Sequence, residues 1–225
     1  MKLLRLSFQI LLIACLFNIS ACSQSTQSIS GIDISRYQGK VDFEKIKSAG
    51  TDYIFIRATE GNTYQDGKFQ ENIIGARKAG LIIGAYHFYE TNDAPSTQFK
   101  NFTSIVTLKQ GDLSPVVDIE KLHQHDDANL IANLKTFLNA LEQHYGSKPI
   151  IYTGLNFANA YIEGFTDYPL WLAEYEKQKP VLPKGWNDWT FWQHSQTGKV
   201  NGIEGDVDLD VFNGDLAAFN KLLIQ

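Results

Sequence analysis

The chain predicts a single-domain α/β barrel, and three observations lead there. From residue 31 onward, short apolar and β-branched runs alternate with stretches of helical period. The first five runs are each followed by a helix-like stretch, and the last three are not. An acid or an aromatic ring stands at the end of nearly every run, as happens when strand ends converge on one face of a barrel. A doubly wound open sheet is the competing topology. It would want a Gly-rich phosphate loop after the first strand, and Asp33-Ile34-Ser35-Arg36-Tyr37-Gln38-Gly39 is not one.

The first residues stand apart from that rhythm. Met1-Lys2-Leu3-Leu4-Arg5 supplies a basic start, and Leu6 to Phe17 is an apolar run too short for a comfortable membrane span. It ends in Ile19-Ser20-Ala21-Cys22, which resembles the lipobox of bacterial lipoprotein signal peptides. The resemblance implies a signal peptide over 1–21, acylation of Cys22 and a polar tether over 22–30 ahead of a barrel over 31–225. The expectation is an exported, membrane-anchored lipoprotein of the cell envelope, facing the periplasm or the outer membrane. An ordinary signal peptide with an incidental cysteine is the other reading. The remaining cysteine, Cys15, lies in the apolar segment, so the processed chain is expected to hold no disulfide and no thiolate metal site.

The elements follow in order. Ile29 to Ile34 reads as the first strand, and Asp42 caps a helix carrying Phe43 and Ile46 that stops at Gly50. Tyr53 to Ile56 is the second strand, followed by a helix with Ile73, Ile74 and Ala76 that stops at Gly80. Leu81 to Phe88 is the third strand, and the helix after it starts near Ser96 with Phe99, Phe102 and Val106 on one face. Pro115 to Glu120 is the fourth. Its helix has the clearest period, Leu130, Leu134, Phe137, Leu138, Leu141 and Tyr145, up to Gly146. Ile150 to Tyr152 is the fifth strand, with a short helix from Asn156 to Ile162. Leu170 to Ala173, Thr190 to Gln193 and Val207 to Phe212 complete the eight, joined by Pro- and Gly-rich connections without helical period. A last helix carries Leu216, Phe219, Leu222 and Leu223.

Pro115-Val116-Val117-Asp118-Ile119-Glu120 is the stretch with chemistry in it. A buried strand should not end in two acids without a reason. Alternation puts Asp118 and Glu120 on one side and Val117 and Ile119 on the other. Two close carboxylates push one pKa up and leave the other ionised, which is what glycoside hydrolysis needs. A strand running out into a solvated acidic turn is the bland alternative. The strand ends together give Asp33, Glu60, Tyr86 with His87, Asp118 with Glu120, Tyr152, Trp171, Gln193 and Asp208. Aromatic rings beside acids suit a sugar, whose C–H faces stack while its hydroxyls take hydrogen bonds. All four tryptophans (Trp171, Trp186, Trp189, Trp192) fall in the last third, and about half are expected to line a groove.

Eight segments in register resemble the lysozymes of glycoside hydrolase family 25, from about residue 30 to the end. They are Gly31 to Ser35 with Gln38-Gly39, Ile56 to Gly61, Gly84 to Phe88, Pro115 to Glu120, Tyr152-Thr153, Trp171 to Ala173, Trp192-Gln193 and Val207 to Leu209. The resemblance implies a TIM-like (β/α)5β3 barrel. It also implies a muramidase of the N,O-diacetylmuramidase type, cutting the β-1,4 bond between N-acetylmuramic acid and N-acetylglucosamine in peptidoglycan. Carried over by position, Glu120 is the general acid, Asp118 its partner, and Asp33 and Asp208 the other two acids. Tyr86, Tyr152, Trp171 and Gln193 line the sugar groove. Asp210, where the family often has Asn, and Glu174, where a neutral or basic residue is more usual, are departures.

A formal net charge of −5, more acidic still without Lys2 and Arg5, argues against nucleic acid as a partner. The expected partners are peptidoglycan glycan strands and, through the lipid, a membrane; a monomer without cofactor or metal is expected. His123-Gln124-His125, with Asp126 and Asp127 after it, reads as a solvated loop before a helix, and His144 as a helix-end residue facing the dipole. His87 and His194 read as rim residues without assigned chemistry, and Arg57 as a partner in a structural ion pair, with pairing to the rim acids as the alternative. Two other functions fit parts of the pattern: a non-catalytic glycan-binding lipoprotein, and a hydrolase using the acids as metal ligands.

Overall fold

A computed structural model of the protein describes residues 28–123, 127–175 and 177–225. The expected signal segment, Cys22, most of the tether and Gln124 to Asp126 lie outside these residues. The strands are β1 (Ser30–Ile34), β2 (Tyr53–Glu60), β3 (Tyr64–Gln65), β4 (Ile82–Phe88), β5 (Val116–Asp118), β6 (Ile150–Gly154), β7 (Leu170–Ala173), β8 (Phe191–Gly198) and β9 (Val207–Phe212). The helices are α1 (Phe43–Ser48), α2 (Phe69–Lys78), α3 (Pro95–Ile105), α4 (Asp127–Tyr145), α5 (Leu155–Tyr161) and α6 (Leu216–Asn220).

Eight strands close a ring in the order β1-β2-β4-β5-β6-β7-β8-β9, with β9 returning to β1. The two-residue β3 only folds back on the end of β2, which is why it escapes a reading based on apolar runs. Helices α1 to α5 follow β1, β2–β3, β4, β5 and β6, and among the described residues no α-helix lies between β7 and β9. The ring strands run parallel up to β8, while β9 runs antiparallel to both neighbours. A closed ring leaves no open edge among its strands.

Local chemistry sets the helix ends. Asp42 Oδ1 accepts from the Lys45 amide at 3.2 Å, Pro95 opens α3, and Gly146, at φ 67°, ends α4 where a side chain would be strained. One face of each strand packs against the helices. Ile54, Ile56, Ile83, Ala85, Val117, Ile119, Ile151 and Leu172 meet Phe69, Phe102, Leu134 and Phe137 there. Ile74, counted as a core residue of its helix in the sequence, is 65% exposed: it follows Ile73 by one residue and so turns about 100° away.

The other face points into the barrel, and its lower half is filled by rings. Phe55 stacks on Trp171 at 4.2 Å, and Tyr53, Phe191, Phe212 and Phe219 meet edge-on or tilted around them. Two glycines make room: a Cβ at Gly31 would come within 2.2 Å of the Tyr53 ring, and one at Gly84 within 2.3 Å of that of Phe55. Gly31→Ala is expected to cost about 1–3 kcal/mol through overpacking, read from the chemical-denaturation midpoint. This aromatic layer is the floor on which the polar end of the barrel rests.

Candidate active site

Above the ring layer the inward positions turn polar, and a cavity of about 230 Å³ opens at the C-terminal ends of the parallel strands. It is lined by Asp33, Asp118, Glu120 and Asp208 together with Tyr86, Tyr152, Trp171 and Gln193, so all eight sugar-site residues named from the sequence share one space. Asp208 reaches it from the start of its strand rather than the end, because β9 runs the opposite way. Asp208 stands opposite Asp33 in the β1–β9 register.

Strand β5 ends at Asp118, yet the chain stays extended enough for the Ile119 amide to donate to the Tyr152 carbonyl at 3.0 Å. Ile119 faces the helices, fully buried, and Glu120 returns to the cavity side as alternation requires. Asp118 is 7% exposed and its Oδ1 has no hydrogen-bond partner among the described residues. Burial, then the Glu120 charge, push its carboxyl well above the usual range. Glu120 stands exposed at the rim; reduced contact with water still raises it, against the pull of Lys121 and Arg57. The deeper acid is therefore the harder to ionise, whereas the family resemblance implies the proton on Glu120. A sugar lying over the rim would cover Glu120 and raise it further.

The remaining acids are held from below. Gln193 Nε2 donates to Asp33 Oδ2 at 2.6 Å, while its Oε1 accepts from the Tyr152 and Tyr175 hydroxyls at 2.9 and 2.6 Å. The buried amide of Gln193 is thus occupied in orienting Asp33, and Tyr175 joins the site without having been named from the sequence. Burial and the neighbouring Asp210 and Asp208 hold Asp33 well above the ordinary range. Asp210 is buried, accepts from Trp171 Nε1 at 2.8 Å and is also raised well by burial. Trp171 is thereby fixed from beneath, between Phe55 and Tyr152.

Several readings of single residues need correction. His87 is not at the rim. It neighbours inward-facing Tyr86 and so faces outward, wholly buried between Thr59 Oγ1 at 2.7 Å and Gln98 Oε1 at 3.0 Å. His194 is partly buried, tilted against Trp192 and facing a separate surface hollow beside Thr51 and Lys199. Of the four tryptophans only Trp171 lines the cavity; Trp186 and Trp189 belong to the packing around the helices, and Trp192 gives its Nε1 hydrogen to the Glu174 carbonyl. Glu60 pairs with Arg57, the expected ion pair, after an extra residue at Ala58 breaks the β2–β4 register. Glu174 Oε2 accepts from the Val181 amide, His123 pairs with Glu90, and His144 lies in the last turn of α4 against Phe99 and Tyr145. Tyr37, Gln38 and Phe88, which carry no site role in the sequence, also line the cavity. Among the described residues, no group of three or more His, Cys, Asp or Glu is placed to hold a metal ion.

Burial lowers the His87 pKa from 6.5 to about 4. A base whose folded pKa is depressed keeps its full stabilising contribution above the unfolded value and loses it as pH falls towards the folded one. Between pH 6.5 and 4 the unfolded chain takes up a proton that the fold refuses, a loss of about 3 kcal/mol at the lower end. The buried acids with raised pKa values act in the opposite direction over part of this range. The comparison is therefore with His87→Gln, whose denaturation midpoint should fall less between pH 7 and 4.5 than that of the natural chain.

The profile of the glycosyl hydrolases family 25 matches residues 32–203. The chain is 36% identical over 207 residues to the protein YegX of Escherichia coli K12, covering 87% of this chain and 74% of that one. It is 35% identical over 208 residues to Lysozyme M1 of Streptomyces globisporus, covering 85% and 70%. In structure it is similar to the bacterial lysozyme from Streptomyces coelicolor, with a TM-score of 0.80, 32% identity and coverage of 88% and 98%. By sequence along most of its length and by the barrel that sequence forms, the chain belongs to family 25 of the glycosyl hydrolases.

Proposed function

We propose that the protein is a muramidase that hydrolyses the β-1,4 bond between N-acetylmuramic acid and N-acetylglucosamine in peptidoglycan. The observation that carries this reading is the pair at the end of β5: a deeply buried Asp118 and a rim-standing Glu120, both raised by burial, in one aromatic-floored cavity. Glu120 is the general acid, placed where a glycosidic oxygen can reach it from outside. Asp118 is its partner carboxylate, aimed at the 2-acetamido group of the bound sugar, so that the substrate's own carbonyl oxygen attacks the anomeric carbon. Asp33 and Asp208 hold the sugar and tune the pair. Tyr86, Tyr152 and Trp171 give it apolar faces, and Gln193 keeps Asp33 in place. Family membership and the relatives that are lysozymes by name support the same reaction class.

The test is to incubate the full chain, in mild detergent, with purified peptidoglycan and analyse soluble products by mass spectrometry before and after borohydride reduction. Fragments ending in reducible N-acetylmuramic acid are the expected result. Pelleting with the glycan but no fragments would point instead to a non-catalytic binding protein.

The amino-terminal segment supports a second part of the proposal: removal of residues 1–21, lipid on Cys22, and a cell-envelope protein tethered by 22–30. Cys22→Ser is expected to move the protein from the membrane fraction to the soluble one, and unchanged fractionation would remove the anchor from the proposal.

A further inference from the structure

The walls of the cavity differ in charge. Above the aromatic floor it carries Asp33, Asp118, Asp208 and, at the rim, Glu120, whereas the side beyond β1, β2 and β4 carries Tyr37, Arg57 and Phe88, with Arg36 beside Tyr37. The Arg36 guanidinium lies 5.0 Å from the centre of the Tyr37 ring and 5.4 Å from that of Tyr64; Arg57 lies 5.2 Å from Tyr64 and 5.4 Å from Phe88. Arg57 is committed to Glu60, while Arg36 takes part in no salt bridge among the described residues.

The turn that carries this edge is fixed before any ligand arrives. Ser35 Oγ accepts from the Tyr37 amide at 3.3 Å, Gln38 Oε1 accepts from the Ser35 amide at 2.8 Å, and the Arg36 amide donates to buried Asp66 at 3.0 Å. Arg36 Nη2 donates to the Tyr37 hydroxyl at 3.3 Å. Tyr37 nevertheless remains 72% exposed while lining the cavity. An aromatic ring held in water on a rigid turn at the mouth of a sugar site gains the fold little and is already positioned for a ligand.

Muramic acid differs from its neighbour sugar by an acidic arm, a lactyl group that ends in a carboxylate or continues into a peptide bearing carboxylates. Such an arm is repelled by the acids and attracted by the opposite side. We propose that the Arg36–Tyr37 turn recognises this arm, with Tyr37 against the sugar face and Arg36 paired with a carboxylate. The inference rests on the muramidase reading and adds the part of the substrate that sets specificity.

The experiment uses soluble glycan strands with native carboxylates and the same strands with carboxylates converted to methylamides. The full chain is compared with Arg36→Gln and, as a control for loss of one exposed cation, Lys40→Gln. For the natural chain and Lys40→Gln, blocking the carboxylates is expected to raise KM about threefold to fivefold with kcat little changed. Arg36→Gln should show the higher KM on both substrates, so that its ratio between them falls to about one. An Arg36→Gln chain that keeps the natural ratio overturns the proposal, even if its KM is raised overall, because a disturbed turn would weaken both substrates alike. No cleavage of either substrate by the natural chain would instead defeat the muramidase reading itself.

Discussion

Glu120→Gln should lower kcat on peptidoglycan by about two to four orders of magnitude, the range over which a positioned general acid acts. The amide keeps the shape of the carboxyl and cannot deliver a proton to the leaving oxygen. Glu120 stands at the rim and joins no salt bridge among the described residues, so its replacement leaves the fold intact. The melting temperature should stay within about two degrees of the natural value, as for a surface change, and the variant should still pellet with peptidoglycan. A variant with normal turnover would move the acid's role to another member of the site.

Asp118→Asn should separate activity from stability. Turnover is expected to fall by about two orders of magnitude or more, since an amide cannot draw the acetamido group into attack as a carboxylate does. Near-normal turnover would overturn the substrate-assisted course. The pH profile carries a second signature. The Glu120 charge raises Asp118, so in Glu120→Gln the Asp118 carboxylate forms more readily and the acid limb of any residual activity should move to lower pH.

Stability should move the other way. A carboxyl whose folded pKa is raised by burial favours the fold below its unfolded value and loses that contribution as pH rises through the folded one. Near pH 7 the natural chain therefore bears a cost that the neutral amide lacks. Asp118→Asn should be the more stable protein there, with the advantage shrinking as pH falls towards 4. Melting curves at the two pH values check this, and a variant less stable at both would show that the carboxyl contributes packing that the amide cannot replace.

Much of the fold was readable because period and punctuation agreed. Asp42, Gly50, Gly80 and Gly146 mark helix ends, and the apolar strand residues give their positions within a few residues. The acid rim was readable because carboxylates at the ends of buried strands have no packing explanation. What stayed hidden depends on direction and register. Nothing in Val207 to Phe212 says that this strand runs backwards; that follows from its pairing with both β8 and β1. The outward turn of His87 was in principle available from its neighbour Tyr86, since adjacent strand residues face opposite sides. The tryptophans could not be sorted, because a large ring serves a core and a sugar groove equally well. Tyr37 was hidden for a related reason: an aromatic just past a strand reads as packing until the turn around it is seen to hold it in water.

The strand pairing also sets the end of the barrel at which the chain enters it. Strand β1 begins at the end of the barrel away from the cavity, and β9 finishes beside that beginning, with Ser30 opposite Val211. The polar segment before Ser30 therefore joins the barrel at its base, about 16 Å below the rim along a five-residue strand. With the proposed lipid on Cys22, the point of attachment would lie at the end of the barrel opposite the mouth. The tether would then set only the height at which the mouth works, and lengthening it should extend the zone of wall within reach without altering how the site binds a strand.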